Sequence, residues 1–181
     1  MAEEILKNVL NWCFKNTNIL MAKDFDNYGE SFLHFATDNG YTSVITQILA
    51  EDVSADLKDN SNSTPLHLAS QKGLTEIAEI LIQNGANLDY KETHKNLTPL
   101  HISAAGGQFE MTKLLIHYGA NINSQCRKKY SPLMIAAKHG HFEIANLLLA
   151  NGAEVKSESI NKWTPLHSAA EKDTLKLQNC F

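Results

Sequence analysis

All four prolines of this 181-residue chain stand in one slot of a recurring phrase. Thr64-Pro65-Leu66-His67 returns as Thr98-Pro99-Leu100-His101, Ser131-Pro132-Leu133-Met134 and Thr164-Pro165-Leu166-His167, with Ser31-Phe32-Leu33-His34 as an earlier copy. The steps between the Thr/Ser positions are 33, 34, 33 and 33 residues. A fixed period of this length means a stack of like units, each unable to bury its apolar face alone.

The rest of the unit keeps register. Glycine comes nine residues after the Thr/Ser, at Gly40, Gly73, Gly107 and Gly140, and Asp173 breaks the series. Gly-Ala comes twenty-one residues on, at Gly85-Ala86, Gly119-Ala120 and Gly152-Ala153. Between the glycines the apolar residues are Ile77, Ile80 and Leu81, then Met111, Leu114 and Leu115, then Ile144, Leu147 and Leu148. That is the i, i+3, i+4 spacing of one helix face. The phrase itself predicts a helix start, because Thr or Ser caps the N-terminus and Pro suits the first helical position. The glycine then takes a left-handed C-terminal cap. A second helix ends on the next glycine, and a polar segment returns to the next cap.

With Gly85-Ala86-Asn87 and Gly119-Ala120-Asn121 closing the unit, the pattern resembles the ankyrin repeat over residues 28–181. The resemblance implies an all-α solenoid: stacked helix-turn-helix units with protruding β-hairpin-like loops. Units are expected at 28–60, 61–94, 95–127 and 128–160, with a shortened fifth at 161–181 and a degenerate capping half-repeat at 1–27. The ends depart from the pattern. The first unit has Phe32 for Pro and Asp52-Val53 for Gly-Ala. The fifth lacks the helix-ending glycine, although Leu177, Cys180 and Phe181 keep the offsets of Ile77, Ile80 and Leu81. The extra residue of the 34-residue step falls within Tyr90–Lys95 and lengthens one loop tip.

Histidines 34, 67, 101 and 167 share one offset. Equivalent positions of adjacent packed units stand roughly 8–10 Å apart. Two ligands of one zinc ion, each about 2 Å from it, stand within about 4 Å of each other. These histidines therefore do not share a metal, and Met134 at the same offset argues against acid-base chemistry. The resemblance implies that each braces its own N-cap and the neighbouring loop backbone. His139-Gly140-His141 lacks a completing carboxylate or cysteine. Cys13 and Cys180 fall on apolar helical positions, whereas Cys126 lies in a polar loop beside Arg127-Lys128-Lys129, a setting that can lower a thiol pKa. No phosphate-binding or dinucleotide glycine fingerprint is present. We expect no enzyme, cofactor, metal or small-molecule substrate.

Composition bounds the partner. With 16 basic and 20 acidic residues the net charge is −4, which argues against nucleic acid. Three cysteines do not make a disulfide framework. No apolar run approaches the roughly 20 residues of a membrane span. A monomer in the cytoplasm or nucleus is expected.

The resemblance also implies protein binding through loop tips and the exposed side of each first helix, as an adaptor, scaffold or inhibitor. On that concave face the candidates are Tyr28 and Lys72, His94 and Lys95, Arg127, Lys128, Tyr130, Lys138 and His139, and Lys162, Trp163 and Lys172. Their cations surround Tyr130 and Trp163, both one residue before an N-cap. This predicts a patch for an acidic segment with an apolar anchor. Two other readings stay open. One is a piece of a longer ankyrin protein, such as a toxin, pathogen effector or membrane-anchored scaffold. The other is a targeting subunit for a separate enzyme. Nucleic-acid binding through the basic loops ranks below these.

Overall fold

The structure, a computed structural model, describes Glu4 and residues 30–171. The expected N-terminal half-repeat at 1–27 therefore falls outside the described residues apart from Glu4, as do Tyr28, Lys172 and the second helix anticipated around Leu177. Nine helices run through the described residues: α1 Phe32–Asp38, α2 Thr42–Ala50, α3 Pro65–Lys72, α4 Thr75–Gln83, α5 Pro99–Ala105, α6 Phe109–His117, α7 Pro132–His139, α8 Phe142–Ala150 and α9 Pro165–Glu171. Odd-numbered helices pack on odd and even on even, while α1, α3, α5 and α7 each also pack on the even helix that follows. The result is a two-layer stack of the helical pairs.

The starts of the odd helices are built as their sequence predicts. Proline occupies the first helical turn of α3, α5 and α7. Ser31, Thr98 and Ser131 accept the backbone N–H three residues on through their hydroxyls, at 3.3, 3.4 and 3.3 Å. Gly73 and Gly140 close α3 and α7 in the left-handed conformation, at φ 71° and 78°. In α1 and α5 the left-handed glycine, Gly40 or Gly107, comes one residue after a right-handed cap.

Leu33, Leu66, Leu100 and Leu133 are fully buried, and so are Leu81, Leu115 and Leu148 from the even helices. Each such side chain contributes about 2 kcal/mol of transfer free energy. Ile80, Leu114 and Leu147 share the predicted apolar face but are only half-buried, because they lie at its flank. Leu166 departs further, at 45 % exposed, although its equivalents are at zero.

The expected β-hairpin-like loops are turns, with no strand among the described residues. One backbone bond closes each: Asp59 N to Ser63 O at 3.0 Å, Glu92 N to Leu97 O at 3.1 Å, Cys126 N to Tyr130 O at 3.1 Å and Ser159 N to Trp163 O at 2.9 Å. The loop closed by Glu92 spans one residue more than the others, which places the extra residue of the 34-residue step. Successive tips are joined by single bonds: Thr93 N to Ser61 O at 2.8 Å, Arg127 N to Lys95 O at 2.7 Å and Ile160 N to Lys128 O at 3.1 Å. A lone bond between tips does not make a ladder.

Candidate functional site

The histidines that first invite a catalytic reading are structural. The His67 and His101 Nδ1 atoms accept the backbone N–H of their own caps, Thr64 at 3.1 Å and Thr98 at 3.2 Å. With Nδ1 accepting, the ring proton sits on Nε2, which donates across the seam to the next unit. His67 donates to the carbonyls of Tyr90 at 3.1 Å and Leu97 at 3.2 Å. His101 donates to Tyr130 O at 3.0 Å, and His34 makes the equivalent bond to Ser63 O at 3.0 Å. Burial pulls the pKa of His67 down against the opposing pull of those carbonyls, and pulls His101 down to about 4. Both rings are therefore neutral, fully bonded and shut away from a substrate. Met134 is equally buried and makes neither bond.

These braces fix the loop tips over the odd helices and leave two adjoining grooves. One, of about 500 Å³, lies between the second and third units and includes Gln71, Glu92, Ile102 and Gly106. The other, of about 400 Å³, lies between the third and fourth units. They share His94, Lys95, Leu97 and Ala105, so they form one trough. The second groove has an apolar floor of Leu97, Ala105, Tyr130 and Ile135. Its rim is Lys95, Arg127, Lys128 and Lys138 with His94 and His139, and none of its eleven lining residues carries a carboxylate.

Local bonds shape that rim. Burial works to raise the Glu92 pKa, but backbone N–H bonds from Lys95, Leu97 and His94 outweigh it and hold the carboxyl below its usual range. Those bonds run at 2.7, 3.3 and 2.6 Å and lock the turn that presents His94 and Lys95. Arg127 Nη1 donates to the His94 carbonyl at 3.3 Å, which ties the two tips together. Lys138 Nζ lies 5.8 Å from the Tyr130 ring centroid and 3.2 Å from Glu171 Oε2.

Of the twelve candidates read from sequence, His94, Lys95, Arg127, Lys128, Tyr130, Lys138 and His139 line this one groove. Lys72 stands away from it, held 2.7 Å from Asp38 Oδ1. Lys162 is paired with Glu158 at 3.3 Å. Trp163 is half-buried and does not line the groove, so the two aromatics do not share a pocket. Tyr28 and Lys172 lie outside the described residues. Ile135 was the residue missed. Its signal was an apolar residue four after each of the first four caps, Phe35, Leu68, Ile102 and Ile135, with Ser168 at the fifth. Cys126 is a free, half-buried thiol in the groove wall.

A larger hollow of about 700 Å³ lies on the even-helix side, with Glu76, Glu79, Glu110 and Lys113 around Leu114 and Leu147. Tyr118 donates to Glu79 across it at 2.9 Å. Among the described residues no group of three or more His, Cys, Asp and Glu side chains can hold a metal ion. No helix there is long and apolar enough to cross a membrane.

Stacked helical pairs with capped, histidine-braced loops are the architecture of a repeat protein. A family model described as ankyrin repeats (3 copies) matches residues 2–92 and 87–159, and the chain belongs to the ankyrin-repeat family. It is also similar to BCL-6 corepressor-like protein 1 of mouse, 41 % identical over 66 residues, and of human, 40 % identical over 65. Each match covers 35 % of this chain and 4 % of the relative, so the likeness concerns only a small part of those proteins. Ankyrin repeats are in general protein-protein interaction modules, on a fold that typically carries no catalysis.

Proposed function

We propose that this chain is a non-catalytic protein-interaction module, an adaptor, scaffold or inhibitor that binds an acidic segment of a partner protein on its loop and odd-helix face. The observation that carries this reading is the groove between the third and fourth units: four cations on its rim, no carboxylate in its lining, and an apolar floor. An acidic segment gains charge-assisted hydrogen bonds from Lys95, Arg127 and Lys128, and one apolar side chain fills the floor beside Tyr130. Because the braced loops are ordered before binding, association costs little ordering entropy.

Affinity capture from native lysate tests the reading. Wild type should retain a protein that a Tyr130→Ala/Trp163→Ala variant loses. Single substitutions then separate the two aromatics, and Tyr130→Ala should account for the larger loss. An identical set of retained proteins for wild type and the double variant, with unchanged circular dichroism, refutes the site. Affinity that depends on an RNase-sensitive component in place of a protein refutes the partner class.

A further inference from the structure

We propose that the groove between the second and third units seats a second apolar side chain of the bound segment, three residues along from the one beside Tyr130. The inference deepens the acidic-segment reading and rests on it. The occupant it defines is an extended peptide with two apolar residues three positions apart and its carboxylates gathered around one of them.

The second seat exists because side chains are missing from the third unit. Its first helix ends on Ala105-Gly106, where the units on either side have Gln71-Lys72 and Lys138-His139. Lys72 shows what a side chain at the position of Gly106 does. It reaches back over the seam between the first and second units, where Nζ lies 2.7 Å from Asp38 Oδ1 and donates to Asp38 O at 2.7 Å. In the third unit that position is Gly106, and the seam behind it is the open groove of about 500 Å³. The backbone does not ask for glycine there. Gly106 has φ −81°, which any residue adopts, and Gly107 takes the left-handed turn at φ 70°. A Cβ on Gly106 would meet only ordinary contacts, the nearest being Gln108 Cγ and Ile102 O at 3.5 Å. The absent side chain therefore shapes the surface and not the fold.

The two halves of the trough differ in charge. The half beside Tyr130 has Arg127, Lys128 and Lys138 on its rim, and the other half does not. That other half has the Glu92 carboxylate in its lining, already accepting three backbone N–H groups, beside apolar Leu97 and Ile102. Carboxylates of the peptide belong with the first half, and an uncharged apolar residue fits the second. The spacing follows from the stack. Ile102 and Ile135 hold the same offset, and α5 packs directly on α7, so their seats stand roughly 8–10 Å apart. Three residues of a polyproline II backbone span about 9 Å and bring the side chain back to the same face. A β-strand shows one face at about 7 Å and again at about 13 Å, and neither fits.

Three glutamate-rich peptides are the probes, titrated into the full chain by calorimetry. One carries a single central leucine, and the other two add a phenylalanine three residues before it or three residues after it. One of the two-anchor peptides should bind about tenfold more tightly than the one-anchor peptide. Moving the phenylalanine to two or seven residues from the leucine should cancel the gain. Gly106→Gln puts a side chain back over the seam. It should return the two-anchor peptide to one-anchor affinity, leave the one-anchor peptide unchanged and keep the circular dichroism of wild type. In the labelled chain, the amides of Ile102 and Gly106 should shift with the two-anchor peptide and stay in place with the other. Equal affinities for the three peptides, a larger gain at two or seven residues, or a gain that survives Gly106→Gln overturns this inference and leaves the acidic-segment site standing. Absence of binding by all three at high micromolar concentration refutes both.

Discussion

Acidification should weaken this stack through its histidines, and His101 sets a measurable share of the loss. In the folded chain His101 Nδ1 faces the Thr98 N–H and Nε2–H faces the Tyr130 carbonyl. A second proton has to sit on Nδ1, against an amide hydrogen, in a site where burial already opposes charge. The folded pKa is about 4 against an ordinary 6.5, a gap of about 2.5 units. At about 1.4 kcal/mol per unit this amounts to roughly 3 kcal/mol. Because the folded value is the lower one, the unfolded chain binds the proton first. The contribution is therefore whole above about pH 6.5, falls between 6.5 and 4, and is level below that. His67 adds to the same decline, since burial lowers it too. Urea unfolding at half-unit pH steps measures the slope. The control is His101→Met, the residue this chain itself uses at position 134. That variant should be less stable at pH 7.5 by about 2–5 kcal/mol, because the Thr98 N–H and Tyr130 carbonyl each lose a partner. Its stability should also change less between pH 6.5 and 4, by the 3 kcal/mol attributed to His101. Parallel pH profiles for wild type and His101→Met would refute the reasoning, however unstable the variant.

Other consequences follow from the backbone and the core. Lys129 and Lys162 sit at φ 58° and 63°, so Lys129→Gly and Lys162→Gly should each stabilise the fold by about 0.5–1 kcal/mol in calorimetry. Gly40→Ala and Gly107→Ala both force alanine into positive φ, but only at Gly107 would the new Cβ meet the His141 ring, at 2.7 Å. Gly107→Ala should therefore cost more than Gly40→Ala, which should cost about 1 kcal/mol. Leu100→Ala removes a fully buried side chain between two units and should cost about 2–5 kcal/mol by urea unfolding.

Most of the fold is visible in the sequence because its determinants are local. A cap, a proline and a glycine act within one helix, and their positions at Thr64, Pro65 and Gly73 predict α3 to the residue. The groove was only partly visible, because its lining is set by stacking. Leu97 and Ile135 belong to different units and meet only when the third packs on the fourth. The same cause hid the ion pairs. Lys72 with Asp38, and Lys138 with Glu171, are each one repeat apart, so opposite charges at the repeat period were their signal. The left-handed residues two before each cap were also open to reading, as Asn62 and Asn96 hold a type that tolerates that region, but Lys129 and Lys162 obscured it.

The acidic-segment site is tested most directly by nuclear magnetic resonance titration of the labelled chain with a glutamate-rich peptide bearing one central leucine. The account predicts shift changes confined to the trough, strongest at Leu97, Ala105, Tyr130 and Ile135, and abolished by Lys95→Ala/Arg127→Ala/Lys128→Ala. Changes centred on the even-helix hollow around Leu114 and Leu147, or shifts in the trough that survive that triple substitution, would contradict it.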